Sequence, residues 1–369
     1  MLELRTGDFR AFFEAPERAY GAQSAFVSVF DQDLKRFLNT RENPVFERPD
    51  ELAFFTAHRD GKPVGRITAH VHAASNRRHG WNRSYFGFFD CADDAEAAGL
   101  LLGAAERWGR ERGHDEIWGN FNLTAMGPAG VVTDGFEHAP YSDQVWNPPH
   151  IPRLLEQAGY VPEFPMAQFE IALADVDLDS FLTPNFHALR TDPSLEWGRV
   201  ELKALKRLLP EICDAFNEGF DRNPMFVPLS HAEFQFQAKD LMWVLDPRIS
   251  SLVRQDGELV GLLLCIPDLN PLLRECHSRM GPLTLPRLLL YRRRCRRAVA
   301  FIQAVRPRLQ GRGVAAVMLH EVLTALKQAR YESLGVTWIA DVNVPSLRSA
   351  MRGGARPMHR LHLYRKALR

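Results

Sequence analysis

Ala298-Val299-Ala300-Phe301-Ile302-Gln303-Ala304-Val305 is an apolar run with the length and residue types of a buried strand. Pro307 ends it, because proline cannot donate to a sheet ladder. Gln310-Gly311-Arg312-Gly313-Val314-Ala315 follows and leads into a helical pattern with apolar residues at Val314, Val317, Met318, Val322, Leu323 and Leu326. A strand that turns through glycines into a helix N-terminus makes an anion site. The first amides of the helix have no intrahelical partner, and the helix dipole adds partial positive charge. Gly311 and Gly313 let a phosphate approach the backbone with no Cβ in the way. Arg306, Arg308 and Arg312 are expected to add mobile countercharge. The spacing is neither the dinucleotide glycine pattern nor a P-loop, since no Gly-Lys-Ser or Gly-Lys-Thr follows. A plain glycine connection between strand and helix is the alternative.

Around this stretch the chain has 369 residues, which suits two domains better than one core. A formal net charge of +1 argues against general nucleic-acid binding. Cys91, Cys213, Cys265, Cys276 and Cys295 are widely spaced, so reduced thiols in the cytoplasm are expected. The start, Met1-Leu2-Glu3-Leu4-Arg5, lacks a signal-peptide core, and no run approaches the roughly 20 apolar residues of a membrane span.

The first half reads as a helical segment over 21–40 and a hairpin of 51–57 and 63–71 about Arg59-Asp60-Gly61-Lys62. A strand at 84–89, a helix at 95–112 and a strand at 116–121 follow, then a long loop from Asn122 to Trp146 that could fold over a site. A short helix at 152–158 and a strand at 168–173 complete it. After an Asp- and Pro-containing linker the order recurs: helices at 201–220 and 231–241, and a hairpin about Gln255-Asp256-Gly257. The glycine-turn strand and helix come next, then a strand at 335–341, a short helix at 346–351 and a strand at 361–366. The expected division is 1–175, a linker at 176–197, and 198–369.

Gln310, Gly313 and Ala315 fit the acyl-CoA loop of the GNAT superfamily of N-acyltransferases: Gln or Arg, any two residues, Gly, any residue, then Gly or Ala. The element order resembles that fold, and two copies resemble the bacterial tandem-GNAT proteins. Asp60 to Ile67, Tyr85 to Phe89, Asn147-Pro148-Pro149, Ile266 to Asn270 and Trp338 to Asn343 also carry the likeness. The resemblance implies an α/β fold class, two GNAT-like domains, each a splayed mixed sheet flanked by helices. It implies N-acyl transfer from acetyl-CoA or a longer acyl-CoA to an amine, with Val305 and Gln310 to Ala315 holding the co-substrate and no metal. Where the second half has its glycine loop, the first has Asp90-Cys91-Ala92-Asp93-Asp94, whose carboxylates would repel a pyrophosphate.

The attacking ammonium must lose a proton, and the departing thiolate gains from one. The tyrosine that supplies it in many GNAT proteins falls here on Ala350; Tyr364 is the candidate replacement, against a half-buried strand tyrosine. Asp341 and Asp268 are candidate bases, the latter within a Pro-Asp-Leu-Asn that resembles tandem members. Asp268 and Asn270 would otherwise turn or cap the chain, and Asn343 either touches pantetheine or caps the helix near Ser346. His70 and His72 alternate on a strand and read as a solvated face rather than a metal pair; His320 reads as a partly buried helix residue.

Residues 281–297 join a leucine block to Tyr291-Arg292-Arg293-Arg294-Cys295-Arg296-Arg297. Such a block suits a peripheral membrane interface, the CoA 3′-phosphate, or an acidic acyl-carrier-protein, against a packed helix with a solvated basic end. Bacterial ceramide synthases belong to the resemblance, so a lipid-like amine acceptor at the inner membrane stands beside a small-molecule acceptor.

Overall fold

The computed structural model describes residues 1–124, 127–221, 225–239 and 241–369. Its strands are β1 (Leu2–Thr6), β2 (Leu52–Arg59), β3 (Lys62–His70), β4 (Arg83–Cys91), β5 (Glu116–Gly119), β6 (Val131–Asp134) and β7 (Val161–Ala172). They continue with β8 (Leu195–Gly198), β9 (Ser251–Gln255), β10 (Glu258–Pro267), β11 (Arg297–Val305), β12 (Ser333–Ala340) and β13 (Arg356–Ala367). Two compact units result. The first takes Met1–Ala167, Asn270–Leu285 and Met358–Arg369; the second takes Gln168–Leu269 and Pro286–Pro357.

In the first unit the strand order is β1-β2-β3-β4-β5-β13, with β6 also on β13. Asp60 (φ 52°) and Gly61 (φ 77°) are both left-handed, the two-residue turn that matches strand twist in a hairpin. The helix Ala95–Glu111 lays Ala97, Leu101, Ala105 and Trp108 on Phe55, Ile67 and Phe86. The helix Phe9–Tyr20 brings Phe12 to Phe54 and Phe88. In the second unit the order is β7-β12-β11-β10-β9-β8, and Asp256 (φ 52°) with Gly257 (φ 79°) repeats the hairpin turn. The helix Val314–Gln328 buries Val317, Met318, Val322, Leu323 and Leu326. The helix Leu205–Phe220 packs on β10 and β11.

Four departures from the sequence reading have physical reasons. Residues 21–40 are helical only over Asp31–Phe37, and the longer helix is Phe9–Tyr20, capped by the Asp8 carboxylate on the Ala11 amide. Residues 176–197 hold the helix Pro184–Thr191 and β8; Thr183 caps that helix and Pro184 takes its first turn, where a missing N–H costs nothing. The 122–146 loop contains β6, pinned by Asn147, whose side chain exchanges hydrogen bonds with the Val132 amide and carbonyl. A short helix, Asn270–Glu275, follows β10.

The last strand of the chain is laid down in the first unit. β13 pairs with β5 from Tyr364↔Gly119 to Ala367↔Glu116 and with β6 from Arg360↔Asp134 to His362↔Val131. Tyr364 is fully buried there, and its hydroxyl donates to Glu156 at 3.0 Å. Tyr364→Ala is expected to destabilise the protein by about 3–5 kcal/mol in urea unfolding, as truncations of large buried aromatics do. Tyr364→Phe is expected to cost only about 1 kcal/mol, since the exposed Glu156 regains water.

Candidate functional site

Strand β11 carries the site of the second unit. Its parallel pairing with β12 lasts from Arg297↔Ser333 to Ala300↔Val336 and then stops, although the strands run on to Val305 and Ala340. On its other edge β11 stays with β10 to Val305↔Gly261. That register slips by one residue: Cys265 faces Ala300 and Leu264 faces Ile302, leaving Phe301 as a bulge. A bulge bends and twists its strand. Here it falls where β11 and β12 part, so beyond Ala300 one backbone edge of β11 has no strand beside it among the described residues.

Past Val305 the chain makes a short turn, Pro307–Leu309, and enters the helix Val314–Gln328 through two left-handed glycines, Gly311 (φ 76°) and Gly313 (φ 97°). Buried Leu309 and Val314 anchor the turn from inside. The Gln310 side chain ties it back, donating to the Val305 carbonyl at 2.8 Å and the Gly219 carbonyl at 3.2 Å. Asn185 Nδ2 donates to the Arg312 carbonyl at 2.9 Å. A Cβ on Gly313 would lie 2.6 Å from that nitrogen, so the position excludes side chains by space as well as by φ. Among the described residues the amides of Gly311, Gly313, Val314 and Ala315 have no protein acceptor. Four donors at a helix N-terminus are thus left for an anion.

The countercharge differs from expectation. Arg306 is immobilised by Glu218 at 2.6 Å, Glu258 at 2.8 Å and the Leu259 carbonyl at 2.8 Å, and Arg308 pairs with Glu258. Arg312 is exposed and pairs with no described carboxylate. It is the cation of the three that could follow a ligand.

The corresponding place in the first unit is filled from within. The Asp94 carboxylate accepts from the Glu96 and Ala97 amides, both at 3.1 Å, and from Arg59 at 2.7 and 2.9 Å. The Arg59 guanidinium, aided by those amides, holds Asp94 below the usual carboxylate range. β4 pairs with β5 only from Arg83↔Glu116 to Tyr85↔Trp118. Beyond that, Asn122 and Asn120 accept from the Phe88 and Phe89 amides at 2.7 and 3.2 Å, and the Phe121 amide donates to the Phe86 carbonyl at 2.8 Å. Asp90 is buried between Arg66 and Tyr20, each at 2.8 Å.

Val305, Gln310, Gly311, Arg312, Gly313, Val314 and Ala315 lie together in the turn just described. Asn343 caps the helix Val344–Arg352, accepting from the Ser346 amide at 3.3 Å. Asp341 is half-buried directly after β12, and Ala350 sits on the buried side of that helix. Asp268 is 1% exposed and paired with Arg297 at 3.0 Å, while its amide donates to the Arg297 carbonyl at 2.9 Å. The unit boundary falls at the next bond but one: Asn270 belongs to the first unit, where its Nδ2 donates to the Pro140 carbonyl at 3.0 Å and its Oδ1 accepts from Ser142 at 3.3 Å. Tyr364 is also in the first unit, where its hydroxyl donates to Glu156.

The histidine pair is buried, not solvated. His70 stacks on Tyr85 at 5.8 Å, and burial pushes its ring down to about 3. His72 accepts from the Ser75 amide at 3.1 Å and is held at about 4, mainly by burial. Among the described residues no group of three His, Cys, Asp or Glu could hold a metal. His320 lies against Phe186 and Phe181.

Asp143 escaped the sequence reading. It sits at φ 63°, exposed, between buried Ser142 and Gln144. Crowding by neighbouring groups raises its carboxyl above the usual range, to about 7. A lone aspartate inside a polar loop carries no spacing signal.

No protein-family model matches the chain. Protein YghO of Escherichia coli (strain K12) is 24% identical over 372 residues, covering 99% of this chain and 94% of its own. A protein named bacterial ceramide synthase, from Caulobacter vibrioides, is 24% identical over 375 residues, covering 98% and 95%. A tandem GNAT protein from the clavulanic acid biosynthesis pathway superposes with a TM-score of 0.60 at 12% identity, covering 100% of this chain and 99% of its own. A GCN5-related N-acetyltransferase from Sphaerobacter thermophilus gives 0.55 at 16%, covering 100% and 96%. The chain therefore has the tandem GNAT fold.

The buried histidines set a pH dependence. Unfolded, each ring binds a proton below about pH 6.5; folded, His70 and His72 do so only near 3 and 4. Their contribution is whole above pH 6.5 and is lost as pH falls toward those values. Urea unfolding at stepped pH should show stability falling from pH 6 to 5, and His70→Phe should reduce that slope by up to about 1.4 kcal/mol per pH unit.

Proposed function

We propose that this protein transfers an acyl group from a CoA thioester to an amine, the thioester being bound by the second unit. The supporting observation is the set of unpartnered amides at Gly311, Gly313, Val314 and Ala315, at the end of a strand that has just parted from its neighbour. The pyrophosphate would sit on those amides, with Arg312 closing over it. The pantetheine amides would take the ladder positions that β12 leaves vacant beyond Ala300. The amine attacks the thioester carbonyl directly in a ternary complex, and much of the rate comes from holding the two reactants together.

Asp341, at the end of the strand flanking the gap, is the proposed proton acceptor, and Asn343 fixes the start of the adjoining helix. With alanine at position 350, the thiolate receives its proton from solvent or from the ammonium formed in the attack. The proposed repeat places one GNAT-like half at 1–175 and the other at 198–369, with one CoA per chain, because Asp94, Asn120 and Asn122 occupy the equivalent places in the first unit. A long-chain donor and a lipid-like amine form the second reading, supported by the relative named ceramide synthase and by exposed leucines on the helix Thr284–Arg294. A non-catalytic ligand-binding or scaffold protein would retain the same fold, and turnover of labelled acyl-CoA separates it from the enzyme.

CoA, acetyl-CoA and palmitoyl-CoA at about a hundred times Kd should each raise Tm by about 5–10 °C. Gly313→Val should abolish the shift and Arg312→Gln weaken it, with the unliganded Tm of each variant as control. Titration calorimetry should give one site per chain. Absence of any shift in the wild type defeats the proposal. Asp341→Asn should lower kcat about 100-fold or more while leaving CoA affinity unchanged, measured by release of free thiol with an amine acceptor found by labelled acyl transfer into a metabolite extract.

A further inference from the structure

The segment 281–297 contains six arginines, five leucines and no acidic residue. Within it, Thr284–Arg294 is a helix. Thr284, Leu288, Tyr291 and, just past its end, Cys295 are buried, a spacing of four, three and four that marks the inward face. Tyr291 fastens that face by donating its hydroxyl to the Asp268 carbonyl. The opposite face should by ordinary rules be polar. Instead Leu285, Leu289 and Leu290 are 47%, 56% and 61% exposed, and Arg293 continues the outward row four residues after Leu289. Arg287 and Arg293 pair with no described carboxylate. Arg292 donates to the Trp243 and Leu245 carbonyls at 3.3 and 3.1 Å, bringing the backbone of Trp243 to this helix; that indole is 54% exposed.

We propose that this helix docks the protein on the surface of an anionic lipid bilayer. Leu285, Leu289 and Leu290 enter the boundary between headgroups and acyl chains, and Arg287 and Arg293 lie on the phosphates. Arginine suits this place because its aliphatic stem can lie among apolar groups while its guanidinium reaches out. Charge complementarity favours lipid over a folded acidic carrier protein. A carrier's carboxylates would answer the arginines but leave the outward leucines in water, whereas a bilayer interface takes both. The docking stands apart from the acyl-transfer proposal, although Tyr291 links the helix to the strand end that bears Asp268.

Flotation of the full chain with phosphatidylcholine vesicles, alone and mixed with phosphatidylglycerol, tests it. The wild type should float with the anionic vesicles, less so at high salt and little with phosphatidylcholine alone. Leu289→Glu with Leu290→Glu should weaken binding about tenfold or more. Arg287→Gln with Arg293→Gln should remove most of the preference for the anionic lipid. Both double variants change only exposed side chains, so Tm and the CoA-induced shift should stay at wild-type values; a lost CoA shift would indict the acyl-transfer reading instead. Wild-type protein that stays in the soluble fraction overturns the proposal. So does binding that survives both double variants, or a complex with an acidic carrier protein that Leu289→Glu disrupts while vesicles fail to bind.

Discussion

When two parallel strands part before either has ended, the backbone groups between them still require partners. The bulge at Phe301 imposes this condition on β11, because it shifts the register with β10 while the neighbour on the other side runs straight on. Much of the second unit answers to that separation. The glycine turn sits at the end of the released strand, Gln310 ties the turn to the strand's last carbonyl, and the helix Val314–Gln328 points its open amides from there.

The first unit meets the same condition with covalently attached ligands. Two asparagine side chains and one peptide stitch β4 to the segment after β5, and an aspartate, held by an arginine, takes the helix amides. Two units with one fold thus differ in whether the chain satisfies its own donors. A protein anion at the helix start is present at every instant, whereas an open helix start depends on what diffuses in.

Local chemistry was legible in the sequence and long-range pairing was not. Asp60-Gly61 and Asp256-Gly257 announce their hairpins because two left-handed residues in a row leave the chain few alternatives. Gln310 to Ala315 was legible for the same reason: glycines, a proline and a helical repeat act over a few residues. Pro184 was misread as linker punctuation, since a proline that opens a helix looks in one dimension like one that breaks it. Arg306 looked mobile because its partners, Glu218 and Glu258, lie far off in sequence. Tyr364 and Asn270 were grouped with the second unit by nearness along the chain, and nothing local says that their hydrogen bonds lie in the first. His70, the last residue of β3, and His72, which caps the helix after it, alternate in sequence like a solvated face, and only the elements packed on them make that face dry.

The placement of β13 makes the first unit discontinuous along the chain. That unit lacks a strand, and with it Leu361, Leu363 and Tyr364, until the whole of the second unit has been translated. Domains made early in translation often close before their successors appear. Here residues 1–167 must stay incomplete while the second unit is made, with the edge of β5 waiting for codons that follow those of its neighbour.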